Sequence, residues 1–108
     1  MKKHRVDFES LSWDSPVKGA RFKVQRHEGK QLRLVEFTRE FAEPDWCRRG
    51  HIGYVIEGKA DLDFNGKVET LRAGDGVFIP DGEQHKHKLK VRTDVVKFIL
   101  VESAVPIS

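Results

Sequence analysis

A single cysteine occurs in the 108 residues, which excludes a disulfide within the chain and fits the reducing setting of a cytoplasm. Long apolar runs are also missing. The start, Met1-Lys-Lys-His-Arg5, is basic, but no apolar stretch follows it. Neither a signal peptide nor a membrane span is therefore expected, and the expected location is cytoplasmic. No segment sustains the three-and-four apolar spacing of an amphipathic helix, so little helix is expected. Low-complexity segments and internal repeats are absent, and nothing suggests a second domain. The charge imbalance is small, at +3. Its densest basic stretch, Lys86, Lys88, Lys90 and Arg92, alternates along the chain as a solvated strand face does. No nucleic-acid partner is expected from it.

What remains is a soluble composition, 38% hydrophobic and 34% charged, read along the chain as short strands between turns. Expected strands run over 20–26, 31–38, 51–56, 60–64, 67–71, 76–79, 85–90 and 95–101. Residues 1–16 read as an N-terminal arm, adding an edge strand or a dimer contact, and 17–108 as one barrel domain. Within 60–64, Ala60, Leu62 and Phe64 face one way while Asp61 and Asp63 face the other. Asn65-Gly66 is the strongest hairpin signal. Regular short strands argue for an all-β sandwich or barrel, and the pattern alone does not choose between them.

The stretch from Gly74 to His85, GDGVFIPDGEQH, is more specific. A strand containing Val77, Phe78 and Ile79 runs into a Pro80-Asp81-Gly82 turn that sets His85 at the start of the next strand. This spacing resembles the second conserved motif of the cupin family, whose histidine is a metal ligand. Upstream, GYVIEG (53–58) is similar to the strand that closes the family's first motif. The resemblance spans about Glu43 to Lys90 and implies a double-stranded β-helix, the jelly-roll barrel of small single-domain cupins. Counted back from GYVIEG, the three family ligand positions fall on Asp45, Cys47 and His51, where the family commonly has two histidines and a glutamate or glutamine. All three are replaced, each by another donor. The expected metal site is thus Cys47, His51 and His85, with Asp45 as a possible fourth ligand. A thiolate with two imidazoles favours zinc, allows iron, nickel or copper, and disfavours magnesium, calcium and manganese.

His87 lies two residues after His85 and is expected to share its inward face. Three roles are open to it: a donor supporting a ligand, an acid–base group, or a buried histidine bonded to backbone. Phe37, Phe41, Trp46 and Phe78 are candidates for the pocket wall. If His51 points inward, Ile52, Tyr54 and Ile56 form an outward apolar stripe that needs a cover. The arm, through Phe8, Leu11 and Trp13, or a second copy of the chain would provide one, and a homodimer is favoured. Three functions stay open: a metal-dependent enzyme on a small organic molecule, a binding or sensing module without turnover, and thiol redox chemistry at Cys47 assisted by Arg48 and Arg49.

Overall fold

The computed structural model describes residues 4–105, so the first three residues of the expected arm lie outside the described residues. The strands are β1 (Asp14–Val17), β2 (Ala20–His27), β3 (Lys30–Thr38), β4 (His51–Glu57), β5 (Lys59–Phe64), β6 (Lys67–Arg72), β7 (Gly76–Ile79), β8 (Lys88–Val91) and β9 (Val95–Ser103). Among the described residues helix is confined to two short 3-10 turns, Phe8–Ser10 and Glu83–His85. All strand pairs are antiparallel. They form a six-stranded sheet in the order β1-β2-β3-β9-β4-β7 and a three-stranded sheet in the order β6-β5-β8. The architecture is the jelly roll that the sequence motif implies.

Local chemistry explains the turns. Phe64 pairs directly with Lys67, and Asn65 (φ 56°) and Gly66 (φ 103°) fill a two-residue turn that needs positive φ at both positions. Gly58 turns the chain from one sheet to the other at φ 85°, with the Val95 carbonyl so close that no Cβ would fit.

The strand alternation carries inward side chains into one core: Val35, Val55, Ala60, Leu62, Val77, Ile79, Leu89, Val91, Val96, Phe98 and Leu100. Phe78 departs from expectation. It stands between inward Val77 and Ile79 on β7, so the pleat turns it outward, and it is 76% exposed. Asp61 departs in the other direction. It is on the outer face of β5 but is buried there beneath Thr70 Oγ1 (2.8 Å) and Arg92 Nε (2.5 Å).

Among the described residues the arm does not cover the outward stripe of β4. Trp13 lies against Arg21 (4.0 Å from guanidinium carbon to ring centroid) and Lys23 on β2, and Lys23 Nζ donates to the Phe8 carbonyl at 2.7 Å. Strands β3 and β9 separate that position from β4. Ile52, Tyr54 and Ile56 remain about half exposed.

Candidate metal centre

The loop before β4 crosses the end of the barrel and is stitched to the strand that follows the 3-10 turn. Cys47 N–H donates to the His87 carbonyl (2.8 Å) and His87 N–H to the Cys47 carbonyl (3.0 Å), an isolated antiparallel bridge. Gly50 then passes so close to the Ile79 carbonyl that a Cβ would overlap it, and its N–H donates to Asp81 Oδ1 at 2.5 Å. These contacts fix Cys47, the start of β4 at His51, and His87 at one end of the core.

Cys47, His51 and His87 converge, each offering a donor atom within 4.8 Å of the others. Cys47 Sγ is 3.7 Å from His51 Nε2, and the two imidazole rings lie 5.2 Å apart at 76°. Tetrahedral zinc with bonds of about 2.3 Å to sulfur and about 2.0 Å to nitrogen spaces those two atoms by roughly 3.5 Å. The donor set and its spacing therefore fit a transition metal.

The tautomers agree with that fit. His87 Nδ1 lies 3.0 Å from the His85 carbonyl, which can only accept, so Nδ1 donates and Nε2 is the nitrogen left to face the cluster. His51 Nδ1 contacts Glu102 Oε2, again an acceptor. Burial would raise the Glu102 carboxyl, but bonds from His51 and Arg33, with the charge of Arg33, lower it from 4.5 to about 2, so it is ionised. Burial also opposes charge on His51, yet hydrogen bonds to Cys47 and Glu102 outweigh it and raise its pKa.

His85 and Asp45 stand elsewhere. The sequence expectation puts His85 at the start of a strand, whereas it closes the 3-10 turn Glu83–His85 and β8 begins at Lys88. The turn takes up the residues that an immediate strand would have used, so His85 and His87 do not share a face. His85 is half-buried and lies outside the donor cluster, contributing its carbonyl to His87 instead. Asp45 is exposed and accepts from Trp46 N–H at 2.7 Å, a local turn contact. The arginines beside Cys47 are committed away from the thiol. Arg48 bonds Glu83 and the Trp46 carbonyl, and Arg49 bonds the carbonyls of Ser103 and Val105.

The three donors line one end of a cavity of about 240 Å³ whose remaining wall is mostly apolar, drawn from both sheets. Phe37 and Phe41 belong to that wall, with ring centroids 4.6 Å apart. Trp46 and Phe78 do not: Trp46 lies beneath Lys86 and Lys88, and Phe78 points outward.

Two wall residues went unread in the sequence, Glu43 and Arg33. Glu43 accepts from Leu89 N–H at 2.9 Å. Burial raises its carboxyl, against the bond from Leu89 and the nearby His87, His51 and Lys88. Glu102, behind His51, was also unread. The inward phase of Val96, Phe98 and Leu100, carried two residues on, would have marked a carboxylate in a core row.

Among the described residues no helix is long and apolar enough to cross a membrane. The sequence profile described as Cupin domain matches residues 42–102, more than half of the chain. The chain is 32% identical over 80 residues to the uncharacterized protein YdbB of Bacillus subtilis (strain 168), covering 70% of this chain and 68% of that protein. Among solved structures it is similar to an RmlC-like cupin from Shewanella frigidimarina NCIMB 400, with a TM-score of 0.74 at 19% identity, covering 95% and 92% of the two chains. It is also similar to KdgF from a Halomonas species, with a TM-score of 0.67 at 20% identity, covering 90% of each.

Proposed function

The chain belongs to the cupin family, and from that premise we propose that it holds one transition-metal ion between Cys47 Sγ, His51 Nε2 and His87 Nε2, with a small organic molecule in the cavity beside it. The observation that carries this reading is the convergence of two imidazoles, each with Nδ1 committed to an acceptor, on a thiol at the polar end of an apolar cavity. The sulfur favours zinc, with iron, nickel and copper as alternatives. His87 takes the role that the family resemblance assigned to His85, and three protein donors leave a coordination position for a ligand. When bound, such an ion supplies Lewis acidity toward that ligand. The chain's own residues do the rest: the apolar wall, including Phe37, Phe41 and Leu71, excludes water, and Glu43 places in that wall a carboxyl whose pKa burial raises. Elemental analysis tests the reading. Roughly one ion per chain is expected in protein purified without chelators or added metal. A protein that carries none and takes up none on titration overturns it.

We further propose that a second copy of this chain covers the outer face of β9, β4 and β7. Val101, Ile52 and Phe78 are direct cross-strand neighbours and form one exposed apolar row, which the described residues of the arm leave open. Sedimentation equilibrium is expected to give a dimer. A monomer at all accessible concentrations would overturn this.

A further inference from the structure

We propose that Glu102 is the positioning residue of the centre: its carboxylate holds the His51 ring with Nδ1 protonated, so that Nε2 faces Cys47 and His87. The consequence for metal affinity rests on the metal reading above; the tautomer does not.

The Glu102 side chain has no exposed surface. Its Oε1 accepts from Gln31 Nε2 (2.6 Å) and Arg33 Nε (2.6 Å), and its Oε2 from Arg33 Nη2 (2.7 Å) and His51 Nδ1. The donors come from β3 and β4, on either side of the β9 strand that carries Glu102. Gln31 is its direct cross-strand partner, and Val101 pairs with Ile52, which brings His51 alongside. Arg33 grips both oxygens as a fork, and its guanidinium lies 5.1 Å over the Phe22 ring, which fixes it from the other side. The carboxylate is therefore held before any ion arrives, and it can only accept a proton from Nδ1.

The two histidines of the centre differ in this respect. His87 donates to a neutral carbonyl, whereas His51 donates to a charged carboxylate that makes its free nitrogen the stronger donor. If Glu102 served only as the partner of Arg33, the His51 contact would be incidental and its loss would leave the donor atoms as they are.

Two measurements separate these cases. Nitrogen-15 histidine spectra of the metal-free wild-type protein, recorded above the His51 titration and assigned with His51→Gln, are expected to show a proton on Nδ1 and none on Nε2. Zinc titration against a chromophoric chelator is expected to show Glu102→Gln binding about 10–100-fold more weakly than wild type, with Glu102→Asp recovering part of the loss. A proton on Nε2 in the wild type, or a Glu102→Gln affinity within about twofold of wild type, overturns the proposal. If Glu102→Gln does not fold, the wild-type tautomer decides. A wild type that takes up no zinc but keeps the Nδ1 proton defeats the metal reading and leaves the positioning role standing.

Discussion

Among the described residues two carboxylates are buried, Asp61 and Glu102, and each meets an arginine. Asp61 lies on the outer face of the three-stranded sheet, bonded to Thr70 and Arg92, and its carboxyl is lowered first by the Thr70 hydroxyl and then by Arg92. Glu102 lies on the inner face of the larger sheet, bonded to Gln31 and Arg33, and it alone of the two also holds a histidine. Asp61 therefore ties strands together, while Glu102 ties strands together and aims a donor atom. A buried acid–arginine pair is not by itself a functional sign. The third partner, and where that partner's other end points, decides the matter.

The largest expected effects fall on the donors that Glu102 helps to aim. Cys47→Ala and His87→Ala should each lose the bound ion while remaining folded, read as metal per chain together with far-UV circular dichroism. His85→Ala should keep it, because the His85 contribution is a backbone carbonyl. Metal loss in His85→Ala with retention in His87→Ala would reverse the assignment of the two histidines.

Next comes the direct contrast of the carboxylates. Where Glu102→Gln is expected to weaken zinc binding by about 10–100-fold, Asp61→Asn should leave it unchanged. Asp61 lies on the outer face of its sheet and is not part of the cavity wall that the three donors share. Equal losses in both variants would mean that the metal site responds only to general stability.

Acid sensitivity sharpens the same contrast. The folded state lowers the Glu102 pKa from 4.5 to about 2, so the unfolded chain binds its proton more readily. Its contribution to stability is complete above about pH 4.5 and is lost as the pH falls toward about 2. Urea denaturation of metal-free protein across that window should show the loss in wild type and a smaller slope in Glu102→Gln. Identical slopes would count against the buried charge.

The smallest expected change is that of Asp61→Asn on global stability, about 1 kcal/mol or less, because Arg92 is half exposed. Urea denaturation near neutral pH measures it.

The sequence made part of this legible. The Gly74–His85 motif and the GYVIEG strand identified the barrel, and counting back from them reached Cys47 and His51, two residues that the structure brings together. Asn65-Gly66 formed the hairpin it signals. The sequence expectation named His85 beside Cys47 and His51, whereas the histidine that the structure brings next to these two is His87, two residues on. Motif spacing gives the length of the connection, not its conformation, and a 3-10 turn over Glu83–His85 delays the strand. Glu102 was missed for a different reason. It lies 51 residues from His51, so only the β4–β9 pairing reveals that a carboxylate at the end of an apolar strand reaches a histidine at the start of another. The cover of the β4 stripe stayed open between the arm and a second copy because apolar residues in a segment do not say which face receives them. Trp13 took the cationic face of β2 instead of the apolar face of β4.

The central claim is that Cys47, His51 and His87 hold a metal ion. It is tested most directly by elemental analysis of wild type beside His87→Ala, both untagged and purified without chelators or added metal. The account predicts roughly one transition-metal ion per chain in the wild type and almost none in the variant. Equal metal content in the two proteins, or none in the wild type even after titration, would contradict it.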